Sequence, residues 1–164
     1  MIFVDTGAFL ARYVEGDQYH RAAARAWKRL ERSSGVLSTS SFVMDETLTL
    51  LGRRTTYAFA AGRADALYAS RVLTILRPDA ADESAAVDLF RKFADQKVSF
   101  TDCVSFALMR RHRLKKAFTF DHHFAVAGFE VWPAQFGLPA PPAGGRGPRK
   151  ARASHPTISK KRSA

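Results

Sequence analysis

Short apolar runs alternate with longer stretches of helical spacing along most of this chain, and that alternation restricts its fold more than any other feature. The runs are Ile2–Asp5, Val36–Ser38, Val72–Leu76, Ala117–Phe120 and Phe129–Trp132. Strands of a parallel sheet covered on both faces read as near-continuous apolar segments, and parallel neighbours need a long crossover, usually a helix. The first and fourth runs have that character. The segments between the runs supply the crossovers. Asp17 is placed to cap a helix from Gln18 to about Arg32 that ends at Gly35, with Ala22, Ala26, Trp27 and Leu30 on one line. Ser40 or Ser41 opens the next, through Leu51 to a stop at Gly52. Another covers Tyr57–Ala69. Pro78 and Asp79 open one that buries Ala86, Leu89, Phe90 and Phe93, and Thr101 caps one from Asp102 to about Arg111. The expected class is α/β, with a short parallel sheet flanked by helices.

Composition bounds the rest. A chain of 164 residues fits one domain, and 46% hydrophobic residues with 13 Phe suffice for a core. No apolar run approaches the roughly 18 residues of a membrane span. The lone Cys103 excludes a disulfide framework and a cysteine-based zinc site. Met1–Val4 is apolar, but Asp5 breaks the run before a signal core forms, so a soluble cytoplasmic protein is expected. The net charge of +11 is uneven. Seven basic and no acidic residues lie in 137–164, which leaves 19 basic against 15 acidic groups before them. That segment opens with a Pro/Gly-rich linker and continues in Ser, Pro and basic residues. It cannot bury enough apolar surface to offset its ordering entropy, so residues 1–136 are expected to fold and 137–164 to be a disordered basic tail. Such a tail can hold phosphate backbones non-specifically.

Most acidic residues suit caps or solvated faces. Four do not. Asp5 and Asp121 each end an apolar strand, where open α/β sheets build their sites. Glu46 falls at helical spacing from Phe42, Val43 and Leu50, which puts a carboxylate on an apolar stripe, while Asp45 points to solvent. Asp102 opens a helix, where it also complements the dipole. Four carboxylates brought together repel unless a cation joins them, and hard divalent ions take oxygen ligands. A site of that kind can activate water and offset phosphodiester charge.

Four segments carry a resemblance: Ile2-Phe3-Val4-Asp5-Thr6, Ser41-Phe42-Val43-Met44-Asp45-Glu46-Thr47, Phe100-Thr101-Asp102-Cys103-Val104-Ser105-Phe106-Ala107 and Thr119-Phe120-Asp121-His122-His123-Phe124. In this order and spacing the chain resembles the PIN-domain ribonucleases, and more closely the VapC-type toxins of toxin–antitoxin pairs, over about Met1–Trp132. The resemblance implies a three-layer α/β/α fold and a metal-dependent endoribonuclease. Asp5, Glu46, Asp102 and Asp121 would form its acidic quartet and hold Mg²⁺ or Mn²⁺, with Asp5 and Asp102 as direct ligands. Thr6 and Thr119, and less strongly Ser105, would support them. It also implies a cognate antitoxin that blocks the cleft, and a homodimer. Gly7 departs from the Ser of many relatives, and the basic tail extends past the family's usual end.

The residues then fit in-line hydrolysis of RNA, with Asp121 or Glu46 orienting water or taking its proton. Arg53, Arg54 and Arg110 are expected to bind RNA, within a basic set that includes Arg111, Arg113, Lys115 and Lys116. Cys103 is expected to pack, and His122 and His123 to be loop residues. Tyr57, Phe59, Leu67 and Tyr68 serve either an interface or the core. Asp5-Thr6-Gly7 spells the aspartic-protease signature, but it occurs once and in a helix-rich pattern. A basic α/β module that binds RNA without cleaving it accounts for the tail but not for Glu46.

Overall fold

The structure, a computed structural model, describes residues 1–33 and 35–134. The basic tail expected over 137–164 lies outside them. Five strands form one parallel sheet: β1 (Ile2–Val4), β2 (Leu37–Ser40), β3 (Leu73–Leu76), β4 (Lys116–Phe118) and β5 (Glu130–Trp132), in the order β3-β2-β1-β4-β5. Among the described residues, seven α-helices connect and flank them: α1 (Thr6–Tyr13), α2 (His20–Arg32), α3 (Ser41–Arg54), α4 (Tyr57–Tyr68), α5 (Ala80–Lys92), α6 (Phe100–Arg111) and α7 (His123–Val126). Each expected strand is present within two residues of its expected ends.

Every residue of β2 is buried, as are Phe3, Val4, Ala117 and Phe118. Successive strand residues face opposite sides, so both faces of the central sheet are covered, as near-continuous apolar runs require. The core is aromatic: Phe118 packs on Trp27 with centroids 5.1 Å apart, and Phe106 meets Phe124 edge-on at 5.0 Å. Trp27 Nε1 donates to Ala8 O at 3.1 Å, which satisfies its polar atom and ties α2 to α1.

Several expectations need correction. Helix α1 is not among the expected helices; it begins directly after β1, with Asp5 as its N-cap. Asp17 does not cap α2 but accepts Tyr19 N at 2.9 Å, and the buried line of α2 is Ala23, Ala26, Trp27 and Leu30. Helix α3 continues through Gly52 to Arg54, and the ring of Tyr57 fills the space beside that glycine. Phe90 is 46% exposed, while Ala86, Leu89 and Phe93 are buried as expected. Helix α6 starts two residues earlier than expected, capped by Ser99 rather than Thr101. In α4, Leu67 belongs to the core, whereas Tyr57, Phe59 and Tyr68 are exposed.

The chain builds the β1 side first, through β2 to β3, and then reverses to place β4 and β5 on the other edge. The switch point lies between β1 and β4, where a crevice forms outside the carboxyl ends of the strands.

Candidate active site

Strand register creates the centre of the site. Val4 pairs with Phe118, and Asp5 N donates to Phe118 O at 3.1 Å, so Asp5 leaves β1 beside Thr119. Thr119 is fully buried and donates to Asp5 Oδ2 at 2.8 Å. Its hydroxyl also accepts Asp121 N at 2.9 Å. One threonine thus ties the Asp5 carboxylate to the Asp121 backbone. Glu46 reaches the same place from α3, where Ser40 caps the helix through Val43 N. Thr6 donates to Glu46 Oε2 at 2.6 Å, and this bond offsets the cost of a half-buried carboxylate. Asp45 is exposed, as the helical spacing requires.

Asp102 arrives through a capping box at the start of α6. Ser99 Oγ accepts Asp102 N at 3.0 Å and donates to Asp102 Oδ2 at 2.7 Å, while Ser99 N donates to the same oxygen at 3.1 Å. All four carboxylates line one cleft of about 510 Å³.

The electrostatics are unfavourable without a counter-charge. Burial, then the neighbouring Asp102 charge, raises the Asp5 carboxyl from 3.8 to about 7, against the Thr119 hydrogen bond. Burial likewise raises Asp102, opposed by Ser99 and reinforced by Asp121 and Glu46. Among the described residues, no Lys or Arg pairs with Asp5, Glu46 or Asp102. Oxygen donors set this close, two of them buried and unpaired with Lys or Arg, fit a hard divalent ion.

The PIN domain model matches residues 2–130. The chain belongs to the PIN domain family. It is 38% identical over 134 residues to "23S rRNA-specific endonuclease VapC20" of Mycobacterium tuberculosis, in strain CDC 1551 / Oshkosh and in strain ATCC 25618 / H37Rv, covering 81% of this chain and 99% of each relative. The crystal structure of M. tuberculosis VapC20, described as a Sarcin-Ricin loop cleaving toxin, superposes with a TM-score of 0.72 at 36% identity over 79% of this chain and 96% of that one. A toxin–antitoxin complex from Klebsiella pneumoniae shares the fold, with a TM-score of 0.51 at 17% identity, covering 76% of this chain and 91% of that chain. The fold expected from the four motifs is therefore the PIN fold, and the chain is a PIN-domain nuclease of the VapC type.

Of the residues expected to support the quartet, Thr6 donates to Glu46 and Thr119 to Asp5. Ser105 is not at the cleft: it is buried in α6 and donates to Thr101 O at 2.9 Å. Ser99 holds Asp102 instead, and the pattern Ser99-Phe100-Thr101-Asp102 is the capping-box signal that points to it. Ser99→Ala is expected to lower RNA cleavage by about tenfold, the low end of what lost support of a metal ligand costs. Ser105→Ala is expected to leave cleavage unchanged, with initial rates of both variants as the check.

The basic residues divide differently from expectation. Arg54 lines the cleft and stands 3.6 Å from Asp17; Arg53, one helical position away, does not line it. Arg110 donates to Ala127 O at 3.4 Å, away from the quartet. Arg111 bridges Asp79 and buried Asp82, and Lys116 pairs with Glu130 at 2.9 Å. Arg53, Arg110, Arg111 and Lys116 do not line the cleft. Lys97, unforeseen, lines it from a left-handed backbone (φ 56°) just before the Ser99 cap. Cys103 is fully buried, its thiol pushed to about 11 by burial and then by Asp102, so it packs rather than reacts.

His122 and His123 sit at the start of α7, beside the cleft. His123 N donates to Asp121 Oδ1 at 2.8 Å, and His123 Nε2 donates to Gln96 O at 2.9 Å. Their ring nitrogens and an Asp121 oxygen lie within 4.8 Å of one another, so the loop residues of the sequence reading also form a close donor group.

Proposed function

We propose that this PIN-domain nuclease is a divalent-metal-dependent endoribonuclease that hydrolyses RNA phosphodiesters at Asp5, Glu46, Asp102 and Asp121. The observation that carries this is the convergence of four carboxylates on one cleft at the switch point, with buried Asp5 and Asp102 unpaired with any described Lys or Arg, in a chain 38% identical to an rRNA endonuclease. Mg²⁺ or Mn²⁺ is the proposed ion, with Asp5 and Asp102 as direct ligands and Asp121 and Glu46 completing the site. Bound there, it supplies positive charge that offsets the phosphodiester and favours ionised water.

The chain's own residues position and move protons. Thr119 fixes Asp5 and Asp121 relative to each other, Ser99 fixes Asp102, and Thr6 fixes Glu46. Asp121, with its side chain 36% exposed, is the most open of the three aspartates. It and Glu46 are placed to orient the attacking water and accept its proton. Arg54 and Lys97 at the same cleft hold flanking phosphates.

The first substrate to test is ribosomal RNA containing the sarcin–ricin loop, because that is what the named relative acts on. Activity in the cytoplasm, where ribosomes are, follows from that substrate; no described helix is long and apolar enough to cross a membrane. A cognate antitoxin that covers the cleft is the proposed regulator. The exposed Tyr57, Phe59 and Tyr68 on α4 offer a surface for a second copy.

The test is cleavage of purified ribosomal RNA and of an unrelated structured RNA by antitoxin-free protein, in Mg²⁺, in Mn²⁺ and in EDTA. The expected result is discrete cleavage of ribosomal RNA that EDTA abolishes. Binding to RNA with no cleavage in either ion would favour a non-catalytic RNA-binding module.

A further inference from the structure

The cleft has an aromatic wall as well as an acidic floor. The rings of Tyr19 and Phe120 both line it, and they stack with centroids 4.5 Å apart and planes 3° from parallel. Phe120 lies between Thr119, which holds Asp5, and Asp121. The stack is the outer end of a column: Phe120 meets Phe118 edge-on at 5.9 Å, and Phe118 packs on Trp27 in the core. Tyr19 is 39% exposed although one face covers Phe120. Its backbone is fixed by the bond from Tyr19 N to Asp17 Oδ1, and Asp17 stands beside Arg54, which lines the same cleft.

A flat ring already held in place loses little freedom when a second flat group stacks on it. Single-stranded nucleic acid sites combine such rings with nearby cations, and each base stacked contributes about 1–3 kcal/mol. Here the cations are Arg54 and Lys97, and Phe120, the ring under Tyr19, directly precedes Asp121 in the chain.

We propose that Tyr19, backed by Phe120, is a stacking site for an unpaired nucleobase next to the phosphodiester held at the quartet. This rests on the ribonuclease reading above and adds to it a requirement: the cut must lie beside a base free of its stack.

The test uses the full chain and an RNA hairpin carrying 2-aminopurine at successive loop positions, titrated in EDTA so that the RNA stays intact. Wild type and Tyr19→Phe are expected to quench the probe at one loop position. Tyr19→Ala is expected to lose that quenching and to bind about 5- to 150-fold more weakly, the equivalent of one lost stack, with an unchanged melting temperature. In Mg²⁺ the same variant is expected to raise KM more than it lowers kcat. Quenching and affinity in Tyr19→Ala equal to wild type would overturn the proposal while leaving the ribonuclease reading intact. So would restoration of RNA affinity by Tyr19→Leu, since an aliphatic cover for Phe120 cannot stack a base. Wild-type protein that neither binds nor cleaves any RNA would overturn both.

Discussion

Asp5→Asn is expected to abolish RNA cleavage and, at the same time, to stabilise the metal-free protein above neutral pH. The two effects have one origin. Asp5 is buried among carboxylates, and burial holds its carboxyl at about 7 in the folded chain against 3.8 in the unfolded one. A group whose folded value is raised binds its proton more tightly when folded. Its contribution to stability is greatest below pH 4, declines as pH rises towards 7, and is flat beyond that. Asparagine keeps the shape and the Thr119 contact but carries no charge. The variant should therefore gain about 1–3 kcal/mol over wild type at pH 8 in EDTA, and the gain should shrink towards pH 4. Denaturant unfolding at the two pH values measures this. Cleavage should fall by at least about 10²–10³-fold, since the ion's several kcal/mol of charge stabilisation is lost. A variant that loses both activity and stability at pH 8 would show instead that Asp5 is a structural residue.

Divalent ion binding is expected to release protons near pH 6 and to stop doing so above about pH 8. The ion needs ionised carboxylates, and Asp5 and Asp102 are both raised by burial and by the other acids. Below pH 7 the ion must displace a proton, so its apparent affinity climbs with pH and then levels off. At an ion concentration of 100 times the dissociation constant, binding adds about 2.7 kcal/mol of stability. At a fixed Mn²⁺ concentration the rise in melting temperature should therefore be larger at pH 8 than at pH 5.5. Calorimetry in two buffers of different ionisation enthalpy counts the protons directly. Equal affinity at both pH values, with no proton release, would mean that the ion binds away from Asp5 and Asp102.

Much of the site is legible in local pattern. Asp5 and Asp121 stand out because each directly follows an apolar strand, and Glu46 because a carboxylate interrupts a helical stripe. Asp102 is weaker, since an acid at a helix start already has a local explanation in the dipole. The errors are of a different kind. Thr101 and Ser99 both suit the cap of α6; the capping-box spacing of Ser99 to Asp102 separates them, and Ser99 takes the cap. Arg53 and Arg54 are neighbours in sequence, yet one helical step separates the residue that lines the cleft from the one that does not. Arg110 lies in the last turn of the helix that carries Asp102 but bonds to Ala127, just after α7.

By itself, the sequence determined the succession of strands and helices, the residue types at their ends, and therefore which acids were available to meet. That information is local, because strand burial, helical phase and capping are each set within about one turn or a few residues. Only the tertiary structure decided that Thr119 bonds Asp5 across 114 positions, that Thr6 bonds Glu46 across 40, and that Tyr19 stacks on Phe120. Those contacts depend on the register of β1 against β4 and on how the helices pack over the sheet. The free energy of that packing is shared by the whole core, so no single segment encodes it.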